Sequence, residues 1–228
     1  MGIEPISPHL VLDNLRDIRS RIDAAAEKAG RNPSSVEPIA VVKYAAIEDV
    51  QALLEGGDLT WCAENRVQDA LKRREALKNS AEKTRWRFIG HLQTKKVNQV
   101  IGHFDSIDSL DSLKLAEALE KRLKDILPVL VQVKLTESDT QSGIPLGETE
   151  NFIKALKAYP KLDVRGIMAI APIEENAEAL RPHFRAVREK AESIFDKPEL
   201  SMGMSNDFEV AVEEGATLVR IGSALFAE

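Results

Sequence analysis

A charged arginine stands in the middle of an apolar run near the end of the chain. Arg220 lies between Val219 and Ile221, in a pattern typical of a buried strand. A guanidinium there must either snorkel to the surface or meet an anion inside the protein. The neighbouring residues favour the anion: Gly222-Ser223 leaves backbone N–H groups accessible, and Ser205 is predicted to open a helix whose positive N-terminus attracts phosphate. We therefore expect a phosphorylated ligand beside the ends of the last two strands.

A lysine ends a second apolar run, near the start of the chain. Lys43 follows Ile39–Val42, which is apolar on both faces and suits a parallel strand covered by helices. In isolation, the simpler interpretation is that Lys43 marks the point where the strand surfaces. The alternative is an amine that forms a Schiff base with a carbonyl. The phosphate site favours the alternative, because a phosphate cradle and a Schiff-base lysine are the minimal apparatus for holding pyridoxal 5′-phosphate (PLP).

These residues must be positioned by a regular alternation of strands and helices. The predicted strands are Ile39–Lys43, Thr60–Ala63, Arg87–Gly90, Asp105–Ile107, Val129–Val133, Val164–Ile170, Leu200–Met204 and Val219–Gly222. The predicted helices are 10–28, 47–56, 66–77, 95–102, 112–124, 149–158, 175–195 and 207–214.

Eight strands alternating with helices in 228 residues match the size of a compact barrel. The competing fold is a doubly wound open sheet, which usually has fewer strands for its length. We therefore expect an α/β fold, a single (β/α)8 TIM barrel with an extra N-terminal helix, and one domain over residues 1–228. The loops after barrel strands form the active face. Lys43, Ser205 and Arg220 each end a strand, so they are expected to converge there.

Composition excludes several classes of protein. The net charge is −6, with no basic cluster, which argues against a nucleic-acid or anionic-membrane surface. The single cysteine, Cys62, excludes an internal disulfide, fits a reducing compartment and is expected to be a buried, inert thiol. The first residues resemble no secretory signal. Gly2 is not expected to be myristoylated, because the myristoylation motif requires Ser or Thr at the position that Ile6 occupies. No apolar stretch approaches the roughly 20 residues of a membrane helix, so we expect a cytoplasmic protein.

Several motifs are shared with one known family over nearly the whole chain. They are AVVK at 40–43, AENRVQ at 63–68, WRFIGHLQTKK at 86–96, SIDS at 106–109, SGI at 142–144, GIMAI at 166–170 and LSMGMSNDFEVAVEEGATLVRIGSALF at 200–226. By these motifs the chain resembles the pyridoxal phosphate homeostasis proteins, the YggS or PROSC family. The long final block makes chance agreement implausible. The resemblance implies a barrel like the N-terminal domain of alanine racemase, with PLP as a Schiff base on Lys43.

The resemblance also implies roles for the other candidate residues. Arg220 is expected near the pyridine nitrogen, which it would keep unprotonated because two adjacent cations repel. Gly222 and Ser223 are expected to donate to the phosphate. Ser201 and Ser205 are further candidates, of which Ser205 is better placed. The remaining cofactor-binding candidate is Asn65, as a neighbour of the ring hydroxyl; an N-cap for the helix at 66–77 is an equally good interpretation.

Other polar residues have simple structural interpretations. His91 is expected to be a hydrogen-bonded loop residue at least as readily as a ligand contact. Asp108 either orients a neighbour or caps the helix after it, and Glu64 is interpreted as helix-start capping rather than as a buried acid. Met168, Met202 and Met204 alternate like core residues. The histidines and Cys62 show no metal-ligand spacing, so we expect no metal.

The sequence departs from the usual family pattern at a few positions. They are Ala63, Arg66, Lys95, Lys134 and Gln141, where glycine, tyrosine, asparagine, asparagine and lysine are common. We expect these changes to cluster at the rim and to leave the Schiff base and phosphate cradle intact. They put in doubt any partner or second ligand that reads the rim.

The sequence leaves three functions to compare. The first is a non-catalytic PLP carrier for intracellular vitamin B6 homeostasis, which buffers or exchanges PLP, with apo PLP-enzymes as candidate partners. The second is a PLP-dependent racemase or decarboxylase, which needs acid/base groups on both faces of the ring. Tyr44 is expected to point away from Lys43 if the strand continues, and Tyr159 lies on the helix side. The chain stops two residues after Phe226, so we expect no second domain to supply another tyrosine.

The third hypothesis, a Schiff-base aldolase without cofactor, is weaker because the resemblance indicates PLP. We therefore favour a monomeric carrier and assign no catalytic residue.

Overall fold

The computed structural model describes residues 5–136, 142–172, 174 and 176–227. Gly2 and Gln141, which entered the sequence predictions, lie outside these residues. The strands are β1 (Glu37–Val41), β2 (Trp61–Glu64), β3 (Arg85–Phe88), β4 (Ser106–Leu110), β5 (Leu127–Lys134), β6 (Ile144–Pro145), β7 (Leu162–Ile170), β8 (Glu199–Met204) and β9 (Leu218–Ile221). The helices are α1 (Pro8–Lys28), α2 (Ile47–Gly56), α3 (Val67–Leu77), α4 (Val97–Val100), α5 (Leu113–Glu120), α6 (Thr149–Leu156), α7 (Arg181–Glu192) and α8 (Phe208–Glu213).

Eight parallel strands close into a barrel, which confirms the predicted fold. They follow one another around the sheet as β1, β2, β3, β4, β5, β7, β8 and β9, and β9 pairs with β1. Within the described parts of the chain, the short strand β6 pairs with the end of β5 and with no other strand. A helix lies between each barrel strand and the next, from β1 to β9, and α1 precedes β1, so both faces of the sheet are covered, as the continuous apolar runs predicted.

The barrel core has an inner and an outer part. The inner cluster consists of Ile39, Val41, Trp61, Ala63, Leu130, Met168 and Leu218. The larger outer cluster fills the space between the sheet and the helices. Ala63 is fully buried in the inner cluster, so the prediction that this departure lies at the rim is wrong. Its side chain points inward because it alternates along β2 with Cys62, which faces the helices.

The thiol of Cys62 is buried, and burial raises its pKa to about 12. A thiol that stays protonated at neutral pH is a poor nucleophile. This agrees with the inert cysteine expected from the sequence.

The N-terminal helix α1 packs against α2 and α8. Pro8 starts the helix, and Gly30, at φ +68°, follows its end in the left-handed region that glycine tolerates. Asn14 Nδ2 donates to the carbonyl oxygens of Leu225 (3.2 Å) and Ala227 (3.0 Å). Helix α1 therefore holds the segment that follows β9.

A layer of buried charge lies inside the barrel, toward the amino ends of the strands. Arg87 Nη1 donates to both carboxylate oxygens of Asp108, at 3.1 and 3.2 Å, and its Nη2 donates to Glu199 at 2.8 Å. Ser106 Oγ donates to Asp108 Oδ1 at 2.6 Å. The Arg87 guanidinium also stacks 4.1 Å from the centroid of the Trp61 ring. Asp108 thus orients a neighbour and caps no helix, since Ser112 caps α5.

Among the residues that the structure describes, no helix has both the length and the apolar character required to cross a membrane.

Candidate functional site

An open cavity of about 1140 Å³ lies at the carboxyl ends of the barrel strands. Six of the seven residues predicted to bind the cofactor line it: Lys43, Asn65, Ser205, Arg220, Gly222 and Ser223. Its apolar wall includes Val41, Ile89, Met168 and Ile170, which extend the inner cluster. Residues far apart in sequence meet here because every parallel strand ends at this face.

Lys43 lies in a turn rather than at the end of a strand. Strand β1 ends at Val41, and the Ala45 N–H donates to the Val42 carbonyl at 3.1 Å, which closes the turn around Lys43. The prediction that Tyr44 points away from Lys43 assumed that the strand continues, and it is wrong. The Tyr44 ring lies with its centroid 5.0 Å from Lys43 Nζ, although 60% of this residue is exposed.

Arg220 is buried, with only 4% of its surface exposed, at the base of the cavity. Its Nη1 donates to the carbonyl (2.7 Å) and the hydroxyl (3.0 Å) of Ser201, and its Nη2 donates to the Ala169 carbonyl at 2.9 Å. Burial lowers the pKa of Arg220 to about 10, and the carboxylates of Asp108 and Asp207 oppose this shift. Arg220 is therefore a cation at neutral pH, held by neutral oxygens.

Ser201 is the predicted site residue that the structure places outside the cavity lining. It is fully buried on β8, and its hydroxyl accepts from Arg220. Ser201 lies three residues before the carboxyl end of β8 at Met204, which keeps it below the ligand face. In this arrangement Ser201 orients Arg220.

The turn after β9 forms a cradle of backbone donors. The N–H groups of Gly222 and Ala224 both donate to Ser205 Oγ, at 3.3 and 3.2 Å. The prediction that the Gly222 N–H is accessible is therefore wrong, because this group already donates to the Ser205 hydroxyl. Ser205 opens no helix: α8 begins at Phe208 after Asp207, because residues 205–207 form a turn.

Asp207 is a cavity residue that the sequence reasoning missed. It lines the cavity, is mostly buried, and accepts from the Met204 N–H at 2.5 Å. Burial raises the pKa of Asp207, while the Met204 N–H and the charge of Arg220 oppose the shift. Its position in the polar run Ser205-Asn206-Asp207, which directly follows a predicted strand, was the signal that could have found it. Met204, predicted to be core, is 39% exposed and lines the cavity.

Asn65 lies on the cavity wall directly after β2. The residue at the N-cap position of α3 is Arg66, and no side-chain capping bond forms there. The structure therefore favours the ligand-facing interpretation of Asn65 over the capping one. Gly90 packs against the Asn65 backbone so closely that a Cβ at position 90 would lie 2.0 Å from the Asn65 carbonyl oxygen.

Gly90→Ala is expected to displace Asn65 and to destabilise the protein. Backbone cannot yield as a flexible side chain does, so we expect a loss of about 1–3 kcal/mol in the free energy of unfolding. Urea denaturation measures it. Gly147→Ala is the matched control, since a Cβ at that position meets no atom within 4 Å. Equal stability of the two variants would contradict the close packing of Gly90.

A small polar cluster lies on the opposite side of the cavity. The Nδ1 atom of His91 lies 3.3 Å from Ser142 Oγ and 3.5 Å from Asp111 Oδ2, and Gln132 Nε2 donates to the Ser142 carbonyl at 2.8 Å. Both contacts of His91 involve the same nitrogen, so the cluster lacks the geometry of a catalytic triad, in which the two ring nitrogens have different partners. His91 lines the cavity as well as being a hydrogen-bonded loop residue.

Glu64 is a buried acid, contrary to the capping role expected from the sequence. It is fully buried behind β2, and its Oε1 accepts from Arg73 Nε at 2.9 Å. Burial raises the pKa of Glu64, and the Arg73 guanidinium opposes the shift.

Three of the other departures from the family pattern lie at or near the surface: Arg66 and Lys95 are exposed, and Lys134 is half-buried at the end of β5. No group of three or more His, Cys, Asp or Glu side chains in the described parts of the chain is arranged to hold a metal ion.

Comparison with known proteins identifies the family. Residues 14–228 match the family model for the alanine racemase N-terminal domain. The pyridoxal phosphate homeostasis protein of Aquifex aeolicus is 38% identical, over 95% of this chain and 97% of that protein. The Escherichia coli protein of the same name is 33% identical, over 95% of each. The chain belongs to the pyridoxal phosphate homeostasis protein family.

Two solved structures superpose on this chain over nearly its whole length. PipY of Synechococcus elongatus, determined with PLP bound, superposes with a TM-score of 0.82 at 30% identity, covering 95% of this chain and all of PipY. Alanine racemase from Bartonella henselae superposes with a TM-score of 0.73 at 18% identity, covering 98% of this chain but 60% of the racemase. The second likeness shows a shared fold.

Proposed function

We propose that this protein binds PLP as a Schiff base on Lys43 and buffers or exchanges it in vitamin B6 homeostasis. The observation that carries the proposal is the convergence of Lys43, Arg220 and the cradle at Ser205 and Gly222 on one open cavity. The name shared by its relatives and the PLP in PipY support the same ligand.

The donors of the cavity fit the chemistry of PLP. PLP brings an aldehyde that reacts with amines, a ring nitrogen and a phosphate. Lys43 supplies the amine. The Ser205 hydroxyl, held in place by the N–H groups of Gly222 and Ala224, and the Ser223 hydroxyl supply donors for an anion. The Arg220 cation suits an unprotonated ring nitrogen, since two adjacent cations repel.

The same features favour a carrier over an enzyme. A cation at the ring nitrogen weakens the ring as an electron sink, and an open cavity admits water that reduces catalytic electrostatics. A PLP-dependent racemase or decarboxylase is the second candidate, and the contact between Tyr44 and Lys43 favours it. Tyr44 is mostly exposed, which suits a residue at the mouth better than an acid/base group.

Absorbance and isotope exchange test this function. The holo-protein should absorb in the near-visible, and borohydride should abolish that band. The reduction should leave the PLP group permanently attached to the peptide that contains Lys43. Incubation with L- and D-amino acids in deuterated water should leave the α-carbon unlabelled. Deuterium incorporation above about 1 per second that is lost in Tyr44→Phe would contradict the carrier function and indicate a racemase-like enzyme.

Arg220→Met is expected to weaken PLP binding without removing the covalent link. The variant loses the cation at the cavity base, an effect of about 1–3 kcal/mol for a charged hydrogen bond. A competition titration against 4′-deoxypyridoxine 5′-phosphate measures the affinity. Arg165→Met is the control, because Arg165 is 40% exposed and pairs with Asp163 away from the cavity. An affinity equal to that of the control would show that Arg220 serves packing only.

We further propose that the protein acts as a cytoplasmic monomer that supplies apo PLP-enzymes. The open cavity supports exchange with a partner, and the net charge of −6 supports the absence of nucleic-acid binding. Mixing holo-protein with an apo PLP-enzyme in the presence of a PLP-trapping phosphatase tests delivery. Activation of the apo-enzyme only after the trap is removed would indicate buffering through free PLP.

A further inference from the structure

A buried arginine outside the cavity holds the turn that carries Lys43. Arg73, on α3, donates from Nη1 to the Ala45 carbonyl at 2.9 Å and from Nε to Glu64 at 2.9 Å. The Arg73 side chain is 9% exposed and that of Glu64 is fully buried. Neither residue is among the described residues that line the cavity.

This ion pair stands between two elements of the cofactor site. On one side, Ala45 lies two residues after Lys43, and its N–H closes the Lys43 turn through the Val42 carbonyl. On the other side, Glu64 directly precedes Asn65, which lines the cavity. Arg73 and Glu64 therefore fix the turn of Lys43 to the end of β2 from the side of helix α3, outside the cavity.

A buried ion pair is a poor device for stability alone. Removing an arginine and a carboxylate from water costs several kcal/mol per ion, and well-packed apolar side chains would often stabilise the same space as well. The fork of an arginine can instead fix two acceptors at once in a rigid plane. Here the two acceptors are the Glu64 carboxylate and the carbonyl of the Lys43 turn.

We propose that Arg73 and Glu64 are positioning residues that set the approach of Lys43 Nζ to the aldehyde of PLP, and so control the rate of covalent capture and release. The inference rests on the proposed function. In capture, the neutral Lys43 nitrogen bonds to the aldehyde carbon and gives up two protons to the carbonyl oxygen, which leaves as water. Such attack is sensitive to alignment, and a displacement of about 1 Å costs up to roughly 100-fold in rate.

The experiment separates covalent capture from non-covalent binding. Stopped-flow absorbance gives the rate at which apo-protein captures PLP. Titration with 4′-deoxypyridoxine 5′-phosphate, which lacks the aldehyde, gives the affinity for the ring and phosphate alone. The variants are Arg73→Met, Arg73→Lys and Glu64→Gln. Arg74→Met is the control, because Arg74 is the next residue on α3 and contacts Trp86 instead.

We expect Arg73→Met to slow capture about 10-fold or more, with the analogue affinity within about 2-fold of the wild type. Arg73→Lys, which lacks the fork, should fall between the wild type and Arg73→Met, and Arg74→Met should match the wild type. If Arg73→Met does not fold, the same split between capture and affinity in Arg73→Lys or Glu64→Gln supports the proposal.

Equal losses of capture and analogue affinity would show a structural role and overturn the inference, as would unchanged capture in every folded variant. Failure of the proposed function is seen separately, in the wild type. Wild-type protein that binds the analogue but never captures PLP would overturn both.

Discussion

Lys43→Ala protein should fold normally and lose the covalent link to PLP completely. Lys43 is half-buried in a turn at the cavity, and its side chain fills none of the core clusters. Its removal takes away the amine but leaves Arg220 and the cradle at Ser205 in place. We therefore expect no near-visible band that borohydride abolishes, together with an unchanged melting temperature and residual non-covalent binding of PLP.

Two controls make this result decisive. Lys134→Ala removes another half-buried lysine, which the cavity lining does not include, and should retain the band. Mass spectrometry of borohydride-treated protein should locate the label on the wild-type peptide that contains Lys43. A trapped adduct at the same site in Lys43→Ala would show that another group anchors PLP.

Arg87→Met should cause the largest loss of stability of any substitution considered. Asp108 is fully buried, and both of its carboxylate oxygens accept from Arg87. Without the guanidinium, a buried carboxylate keeps only the hydroxyl of Ser106 in this network. Breaking a buried pair in this way costs about 3–5 kcal/mol, which urea denaturation measures. Arg85→Met is the control, since Arg85 is exposed and stacks on the same Trp61 ring at 4.2 Å.

The deficit of Arg87→Met should depend on pH. Burial raises the pKa of Asp108, and Arg87 opposes that shift, so its removal raises the folded-state pKa further. When the pKa of a carboxyl is higher in the folded than in the unfolded protein, its contribution to the free energy of unfolding is fully present below the unfolded-state pKa. That contribution is lost as the pH rises through the folded-state pKa. The deficit should therefore be larger at about pH 8 than at about pH 5. A pH-independent deficit, or one no larger than that of Arg85→Met, would contradict this account.

The periodic features of the fold could be read from the sequence. Apolar runs such as Ile39–Val41 mark strands because both faces of a parallel barrel strand are covered. The helix at 47–56 was predicted with its observed bounds, since its apolar spacing is regular. Lys43 and Arg220 stood out because a charge next to such a run needs a reason to be there.

The errors concern what single residues contact, which depends on where strands end and on tertiary partners. Tyr44 was misplaced because β1 ends at Val41, which no local pattern marks. Glu64 was interpreted as a cap because its partner, Arg73, lies nine positions away on another element. Ser201 and Ser205 look alike in sequence. Only the end of β8 at Met204 separates them: Ser201 lies inside the strand and accepts from Arg220, whereas Ser205 lies in the turn beyond it and receives the N–H groups of the final turn.

The closure of the barrel by its first and last strands has a consequence for biosynthesis. Ile39 of β1 pairs with Arg220 of β9, so the lysine and the anion cradle come from opposite ends of the coding order. During translation, a chain that still lacks β9 carries the amine and Ser205 but neither Arg220 nor the turn at Gly222 that completes the cradle. Ligand capture then follows ring closure, and a bound ligand stabilises the seam between the two strands by mass action. The amides of β1 and β9 should therefore be more protected from hydrogen exchange when the ligand is bound than when it is absent.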